Sequence, residues 1–405
     1  MKDIKYGGVT SPKGYKAAGV HAGLKKNRRD MAVIYSKYGC AFAGVFTQNQ
    51  VQAAPVLYCK ELMDMPQTKA VLINAGNANA CTGQQGLDNT REMARQLAWE
   101  LNIAPQEVLV SSTGVIGYQL PMDKISAGIR MLVEKLNRKG GAAASRAIMT
   151  TDTFPKQKAV ELDVDGVSVK VGGMAKGSGM IHPNMATMLC FVTTDCAIEK
   201  ECLQGMISDI ADRTFNMITV DGDTSTNDML LCLANGRAKN RLIQKASDPG
   251  YAQIYDGLYA VCKDLAIAIA RDGEGATKLL TVNVSGAATV EDARKAARTV
   301  CTSSLVKTAL FGRDANWGRI LAAVGYSGMV FDPSKVDIFL ESAGGRIQVA
   351  AGGAGMAFSE EEALRILNDK EVTFDITMGE GNDRATAWSC DLTYAYVKIN
   401  GSYRS

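Results

Sequence analysis

The sequence has few histidines and no clustered cysteines, and both shortages limit the chemistry that it can support. Only two histidines, His21 and His182, occur among 405 residues. The ten cysteines are scattered singly, without a C-x-x-C pair. Because a zinc site needs clustered cysteine or histidine ligands, we expect no metal site. In a reducing compartment, scattered cysteines are mostly small core residues.

The shortage of histidine also restricts nucleophilic catalysis. A serine–histidine–aspartate or cysteine–histidine site would have to use one of the two histidines. His182 lies five residues before Thr187, in the glycine-rich stretch MAKGSGMIHPNMATMLCF (174–191). If the protein performs acyl chemistry, we therefore expect its base to be a group other than histidine.

Long apolar runs are absent as well. No run approaches the roughly 18–20 residues of a transmembrane helix. The first residues lack the hydrophobic core of a signal peptide, and Asp3 is untypical of a transit peptide. We therefore expect a soluble cytoplasmic protein. The net charge of +3 predicts neither nucleic acid nor a membrane as partner. The one dense basic run, Lys25–Arg29, is interpreted as a solvated loop in preference to an anion site.

Helical and strand patterns alternate along the chain. The ranges with helical spacing are 87–101, 122–136, 199–215 and 254–271. The predicted strands are 186–193, 279–284, 372–376 and 385–397, the last two being antiparallel.

Two further local signals refine this pattern. AVELDVDGVSVKV (159–171) alternates on both sides of Asp165–Gly166, which predicts a hairpin with a two-residue turn. Thr289 with Asp292 predicts a helix cap, and Ser359 with Glu362 predicts a capping box. Hairpins among helices favour an α/β chain of the α+β type, with antiparallel or mixed sheets covered by helices.

Several short motifs are candidates for a functional site. SSTGV (111–115) follows an apolar run, so its backbone N–H groups and the Thr113 hydroxyl could hold an oxyanion, although an ordinary strand and turn is the simpler interpretation. RDGEGATK (271–278) presents Glu274 either to a ligand's amine or to solvent. NAGNANACTG (74–83) and VDGDTSTND (220–228) match no phosphate-binding fingerprint and are interpreted as turns near an active site.

Taken in order, these motifs resemble those of the ornithine acetyltransferases of the arginine pathway, also called bifunctional glutamate N-acetyltransferases. The resemblance covers essentially the whole chain. The stretches that carry it are GGVTSPKGYKAAG, NAGNANACTG, SSTGVIG, IMTTDTFPK, KGSGMIHPNMATML, TVDGDTSTND, RDGEGATK, FGRDANWGRI and INGSYRS. The fold that it implies is a mixed sandwich with sheets inside and helices outside, shared with self-processing aminopeptidases.

The resemblance implies that the chain cuts itself between Ala186 and Thr187. The products are an α fragment, residues 1–186, and a β fragment, residues 187–405, which stay together in a heterotetramer of two α and two β fragments. A structural domain boundary need not coincide with the cut. Thr187 becomes an N-terminal nucleophile, and its freed α-amino group, which titrates near about 7.7–8.0, supplies the missing base.

The resemblance also assigns roles to other residues. Thr113 and Gly114 match the oxyanion-hole pair, and Lys176 suits the α-carboxylate of the substrate as a compact cation. The full substrate-binding set is Thr153, Lys176, Thr187, Glu274, Asn400 and Ser405. No cofactor is implied.

The implied reaction is a ping-pong transfer of acetyl from N2-acetyl-L-ornithine to L-glutamate through an acetyl-Thr187 ester. Some members of the family also accept acetyl-CoA as donor. Two other functions are compatible with the residues. One is a self-processing N-terminal-nucleophile aminopeptidase or amidase, whose acyl-enzyme goes to water. The other is a non-catalytic amino-acid-binding protein.

Overall fold

The computed structural model describes residues 1–182 and 188–402 and divides the chain into two compact units. The first unit consists of residues 1–216 and 223–269, and the second of residues 217–222 and 270–402. Position 186–187 therefore falls inside the sequence range of the first unit, and the unit boundaries differ from the implied cut. The two fragments and the two units are thus different divisions of the chain.

The described part of the first unit contains a nine-stranded mixed sheet, in the order β1-β6-β7-β8-β9-β3-β4-β5 with β2 paired to β3. Its strands are β1 (Lys2–Asp3), β2 (Tyr15–Val20), β3 (Met31–Phe46), β4 (Thr68–Asn77), β5 (Val108–Val115), β6 (Lys156–Val164), β7 (Val167–Lys176), β8 (Leu189–Thr194) and β9 (Met229–Ala234). Its helices are α1 (Ala54–Glu61), α2 (Gly83–Leu101), α3 (Met122–Glu134), α4 (Gly141–Ala147), α5 (Lys200–Arg213) and α6 (Tyr251–Arg271), whose last two residues belong to the second unit.

The long strand β3 joins the two halves of this sheet. Its first part pairs with β2 and β4, its pairing is interrupted between Tyr35 and Cys40, and its last part pairs with β9. Strands β8 and β9 are parallel and buried throughout, as their apolar sequences LCFVTT and MLLCLA require. Helices α4 and α5 pack on the sheet against β2 and β3. This arrangement brings the ends of β4, β5 and β7 and the starts of β8 and β9 into one connected framework.

The second unit contains a six-stranded sheet in the order β13-β12-β11-β14-β10-β15. Its strands are β10 (Leu279–Ala287), β11 (Asp337–Ser342), β12 (Gly345–Ala351), β13 (Ala354–Gly355), β14 (Glu371–Thr377) and β15 (Asp383–Cys390). Its helices are α7 (Val290–Thr302), α8 (Ser304–Gly312), α9 (Trp317–Gly325), α10 (Glu360–Leu367) and α11 (Tyr394–Ser402). Helix α7 packs against β10 and β15, and α10 packs against β11 and β12. Short 3₁₀ turns occur at Pro105–Glu107, Phe215–Met217 and Pro333–Lys335.

These elements confirm the mixed α/β class with sheets covered by helices. The hairpin is confirmed, because β6 and β7 pair from Val164–Val167 outward and both turn residues, Asp165 and Gly166, have positive φ. The four predicted helices correspond to α2, α3, α5 and α6. Thr289 caps α7 by accepting the Asp292 N–H at 3.1 Å, and the Ser359 hydroxyl accepts the Glu362 N–H at 3.2 Å. The strand predicted over 186–193 is observed as β8, and its first two residues lie outside the described ones.

The prediction of one antiparallel strand over 385–397 is confirmed for 385–390, which lie in β15 and pair antiparallel with β10, and is wrong for the residues that follow. Strand β15 ends at Cys390, and residues Tyr394–Ser402 form helix α11 instead. The strand stops where the Asp391 carboxylate turns to accept the N–H groups of Thr277 (2.8 Å) and Lys278 (3.0 Å). The Thr393 hydroxyl then accepts the Ala395 N–H at the start of the helix. The chain therefore approaches its last residues as a helix.

Two composition-based expectations have direct structural counterparts. None of the ten cysteines is in a disulfide, and eight of them are buried, as expected of small core residues. Within residues 1–182 and 188–402, no helix is long and apolar enough to cross a bilayer.

Candidate active site

The end of β5 carries the two candidate oxyanion residues. Gly114 lies beside Gly76 of β4, at a point where Asn77 pairs with both Thr113 and Val115. The φ angle of Gly114 is +134°, and a Cβ atom there would meet the Gly76 backbone and lie 2.5 Å from the Asn77 nitrogen. Only glycine fits this position, because both the backbone angle and the space exclude a side chain.

The Thr113 side chain is available to a ligand. Thr113 is 8% exposed, and its hydroxyl makes no hydrogen bond to any group in the described ranges. Its neighbour Ser112 differs, because its hydroxyl donates to Asn74 Oδ1 at 2.6 Å. A nearly buried hydroxyl without a partner is ready to donate to an anion at little cost.

Asn227 ties the end of β5 to the residues that precede β9. Its side-chain nitrogen donates to the Ser112 carbonyl at 2.8 Å and to the Ala78 carbonyl at 2.6 Å. The next residue, Asp228, leads directly into β9, whose first residue pairs with Leu189 of β8. Asn227 thus links the candidate oxyanion residues to the start of β8.

The Asp228 side chain lies at the beginning of β8, and its carboxyl group has a raised pKa. Burial raises its pKa well above the usual range, and the Lys176 ammonium and the Met188 N–H offset only part of that rise. Its Oδ2 atom is buried and has no hydrogen-bond partner among the described residues. The Met188 N–H donates to this carboxyl, so Asp228 lies at the beginning of β8.

Lys176, the last residue of β7, lies among buried charges. It is 5% exposed and pairs across the sheet with Leu189. Asp152 also interacts with it electrostatically. Burial alone would raise the pKa of Asp152, but Lys156, Lys176 and the Gly177 N–H together lower it to about 2. An ionised carboxylate therefore lies beside this lysine.

Asp152 also fixes the segment that contains Thr153. Its carboxylate accepts the Lys156 ammonium at 2.7 Å, the Gly177 N–H at 2.8 Å and the Thr150 N–H at 2.9 Å. Thr153, the next residue, is exposed. The structure therefore connects the Thr153 segment to the end of β7, where Lys176 lies.

The second unit contains the other two described candidates, Glu274 and Asn400. The Asn400 side-chain nitrogen donates to Glu274 Oε2 at 2.8 Å, and Glu274 is half-buried. Gly275 lets α11 approach, because its φ is +71° and a Cβ there would lie 2.6 Å from the Tyr396 nitrogen. The Thr393 hydroxyl also donates to the Gly275 carbonyl at 2.7 Å.

Three candidates lie outside the described residues, namely Ala186, Thr187 and Ser405. Their assignments rest on the sequence.

The two histidines have different surroundings. His21 Nδ1 lies 3.1 Å from Asp30, whose carboxylate also accepts four consecutive N–H groups from the loop 22–25. The carbonyl of His182 accepts the Thr224 hydroxyl at 3.0 Å.

Sequence reasoning missed Asp152, Asn227 and Asp228. Their only local signal was their place in IMTTDTFPK and VDGDTSTND, where turn-forming residues suggested a nearby site.

In the part of the chain that the structure describes, no group of three or more histidine, cysteine or acidic side chains could hold a metal ion.

Comparisons with known proteins identify the family of this chain. The model of the ArgJ family matches residues 16–405. The arginine biosynthesis bifunctional protein ArgJ of Symbiobacterium thermophilum is 56% identical over 98% of this chain and 99% of its own length. The crystal structure of the bifunctional protein ArgJ from Bacillus halodurans is 47% identical, with a TM-score of 0.50, and covers 53% of this chain and 98% of the solved chain.

A second solved structure is that of ornithine acetyltransferase from Mycobacterium tuberculosis complexed with ornithine. It is 42% identical, covers 45% of this chain and 98% of its own, and has a TM-score of 0.42. A mixed α/β protein with a candidate oxyanion pair fits the class of acyl-transfer enzymes. The chain belongs to the ArgJ family, the ornithine acetyltransferases or bifunctional glutamate N-acetyltransferases of arginine biosynthesis.

Proposed function

We propose that this enzyme transfers the acetyl group of N2-acetyl-L-ornithine to L-glutamate by a ping-pong mechanism with Thr187 as the nucleophile. Self-cleavage between Ala186 and Thr187 comes first and gives fragments 1–186 and 187–405. The freed α-amino group of Thr187 then acts as the general base. Such an amine titrates near about 7.7–8.0, close to the pH at which a base is most useful.

The observation that carries this proposal is the bridge formed by Asn227. One of its hydrogen bonds holds the Ser112 carbonyl, beside Thr113, and the other holds the Ala78 carbonyl, while the following residue, Asp228, faces Met188. A nucleophile at position 187 is therefore covalently attached to a backbone that is tied to the oxyanion pair. This supports Thr113 and Gly114 as the groups that stabilise the charge on the acetyl oxygen.

The length of a solved relative supports the cleavage. The B. halodurans chain aligns over 98% of its length yet covers only 53% of this chain. The proposed β fragment, residues 187–405, makes up about 54% of the sequence. A solved chain of that size agrees with two separate fragments.

The chemistry balances without a cofactor. The Thr187 hydroxyl gives its proton to the α-amine of the same residue and bonds to the acetyl carbonyl carbon. The carbon–nitrogen bond to ornithine then breaks, and the proton passes to the leaving amine. The amine of L-glutamate attacks the resulting acetyl ester by the reverse sequence and leaves as N-acetyl-L-glutamate.

The proposed substrate set is Thr153, Lys176, Thr187, Glu274, Asn400 and Ser405. Lys176 suits the α-carboxylate that both amino acids share, and Glu274 suits the side-chain ammonium of ornithine. The near-complete burial of Lys176 supports this role, because a carboxylate bound to a desolvated cation is held more strongly than one at the surface.

Further parts of the proposal concern the donor and the assembly. The relatives carry the name bifunctional, and we assign the second activity to acetylation of glutamate from acetyl-CoA. The assembly is a heterotetramer of two α and two β fragments. We assign the enzyme to the cytoplasm, where arginine biosynthesis would supply its substrates.

Mass spectrometry and initial rates test the proposal together. The wild type should give two fragments, one beginning with Thr187, whereas Thr187→Ala should remain one inactive chain. With acetylornithine and glutamate, double-reciprocal plots should be parallel, and quenched enzyme should carry an acetyl group on the β fragment. An active wild type that stays uncut, or intersecting plots without an acetylated peptide, would overturn the mechanism.

The rival hydrolytic function is separated in the same assay. An aminopeptidase or amidase would release acetate or a free amino acid at the same rate with and without glutamate. The transferase should instead form N-acetylglutamate in proportion to the ornithine released.

A further inference from the structure

The first unit contains a second candidate site, a pocket of about 470 Å³ that the acetyl-transfer residues do not use. Its volume is in the range of small-molecule sites. The loop before β2, the bend of β3, the segment after α3 and the turn after β9 form its walls. The residues on which the argument rests are Lys13, Lys16, Lys37, Tyr38, Arg138 and Arg237.

The pocket concentrates positive charge. Five lysines and arginines line it and no carboxylate does, while the whole chain has a net charge of only +3. None of the five makes an ion pair within the described ranges. The Asp195 carboxylate lies behind the wall, where it accepts the N–H groups of Lys13 and Lys170, each at 2.8 Å. Clustered cations repel one another, so an anion in the pocket would relieve that repulsion.

The loop that forms one wall of the pocket, residues 13–15, is held by the protein's own hydrogen bonds. Besides the bond from its N–H to Asp195, Lys13 accepts at its carbonyl from Asn235 Nδ2 at 2.9 Å. Gly14 has a φ of +91°, and a Cβ there would lie 2.8 Å from the same Asn235 nitrogen. The buried Tyr15 hydroxyl donates to the Leu233 carbonyl at 2.8 Å. A loop held at both backbone and side-chain level loses little entropy when a ligand binds.

Tyr38 gives the pocket an aromatic face next to its cations. The Arg237 guanidinium lies 4.2 Å from the ring centroid, and the Lys37 ammonium lies 5.1 Å from it. A guanidinium stacked on an aromatic ring keeps its N–H groups oriented to donate to phosphate oxygens. The ring itself is half-buried and could stack with a planar base.

The pocket is separate from the candidate catalytic residues. Strand β9 begins at Met229, opposite the first residue of β8, and ends at Ala234, three residues before Arg237. A strand rises about 3.3 Å per residue, so the pocket lies roughly 20 Å from that beginning. Occupancy of the pocket therefore need not block acetyl transfer.

We propose that this pocket binds a small phosphate-bearing anion, with the cations holding the phosphates and, where the anion is a nucleotide, Tyr38 contacting its base. Two sources share this chemistry, a nucleoside diphosphate and inorganic pyrophosphate. The proposal does not depend on Thr187 or on the acetyl-transfer mechanism.

Calorimetric titration of the full-length enzyme with ADP and with pyrophosphate tests the proposal. Both should bind, and affinity should fall as salt is raised, because the contacts are ionic. Arg138→Ala and Arg237→Ala should each weaken binding roughly tenfold, the usual effect of losing a charge-assisted hydrogen bond. Tyr38→Ala should weaken ADP more than pyrophosphate; equal weakening would assign the site to inorganic phosphates.

Matched controls keep the outcome decisive. Lys139→Ala and Arg241→Ala remove exposed cations that are close in sequence to Arg138 and Arg237 and do not line the pocket, and they should leave binding unchanged. Acetyl transfer should be retained in every variant, which shows that each one folds. Absence of ADP and pyrophosphate binding at millimolar concentration, or binding that the Arg138 and Arg237 variants do not weaken, would overturn the proposal.

Discussion

Asn400 donates a hydrogen bond of 2.8 Å to the carboxylate of Glu274, across 126 residues of sequence. Both residues belong to the substrate set implied by the sequence motifs, and the structure joins them directly. The amide of Asn400 also donates to the Tyr396 carbonyl of its own helix at 3.1 Å. Asn400 is thus held so that its amide orients the Glu274 carboxylate.

The first prediction tests this pair with Asn400→Asp. Two carboxylates would then meet at hydrogen-bond distance, and their repulsion would push the two side chains apart. The KM for acetylornithine should rise about tenfold, because Glu274 no longer presents an oriented negative charge. Steady-state kinetics at pH 8 measures this change.

A control on the same helix separates a local effect from a general one. Lys398 is exposed on α11 and makes no hydrogen bond or ion pair with Glu274. Lys398→Ala should keep the wild-type KM. If Asn400→Asp did the same, the hydrogen bond would have no part in substrate binding.

The second prediction compares two glycines of positive φ that lie three residues apart. Gly114→Ala forces a side chain against Gly76 and Asn77, which should move the oxyanion pair and lower kcat about 10²–10³-fold. Gly117 has a φ of +85°, and a Cβ there meets no atom within 4 Å. Gly117→Ala should therefore cost about 1 kcal/mol of stability through backbone strain and leave kcat within about twofold.

Measuring kcat and the thermal midpoint of both variants decides between site and backbone effects. Equal losses of kcat would mean that backbone strain anywhere in this segment disables the enzyme. In that case Gly114 would have no special role at the oxyanion.

The third prediction concerns the hydroxyl of Thr113. Thr113→Val preserves the shape of the side chain and removes one donor that has no partner among the described residues. Stability should change by less than about 1 kcal/mol, whereas kcat should fall about 10²-fold or more. As a contrast, Thr90→Val removes a hydroxyl that donates to the Gly86 carbonyl at 2.8 Å and accepts from Asn79 at 2.9 Å. It should lower the thermal midpoint and leave kcat of the folded enzyme unchanged.

A fully active Thr113→Val would mean that the Thr113 hydroxyl takes no part in catalysis.

Sequence patterns predicted those parts of the fold whose causes are local. The hairpin at Asp165–Gly166 depends on two turn residues with positive φ, and both are visible in the sequence. Residues 394–402 show where prediction from local sequence patterns fails. LTYAYV alternates like a strand, but Asp391 ends the strand through contacts with Thr277 and Lys278, more than 110 residues earlier. No pattern within one segment reveals such a partner.

The candidate site also contains residues that the sequence identifies and residues that depend on contacts distant in sequence. Thr113, Gly114, Lys176, Glu274 and Asn400 lie in motifs that a family resemblance identifies. Asn227 was not identified, because its function depends on carbonyl groups 115 and 149 residues away. Positioning residues of this kind emerge only when strands distant in sequence are paired.

The last prediction uses Asp152, whose pKa is lowered to about 2 in the folded protein although its burial works in the opposite direction. The unfolded value is near 3.9. A carboxyl with a lowered folded pKa stabilises the protein above its unfolded pKa, and that contribution, about 2 kcal/mol, is lost as the pH falls toward the folded pKa. Asp152→Asn removes it and also takes from Lys156 the carboxylate that lies 2.7 Å away. Breaking a buried pair in this way costs about 3–5 kcal/mol at neutral pH.

Thermal unfolding midpoints of wild type and Asp152→Asn between pH 7 and pH 3.5 measure this contribution. The difference should be largest at pH 7 and should shrink below about pH 5, because the wild type loses its advantage there while the variant has none to lose. Asp165→Asn is the matched control, since it removes an exposed carboxyl at a turn whose positive φ asparagine tolerates. Its midpoint should follow the wild type at every pH. A difference for Asp152→Asn that stays constant with pH would mean that the cost comes from altered packing, and the ionised Asp152–Lys156 pair would then not be what holds the Thr153 segment against the end of β7.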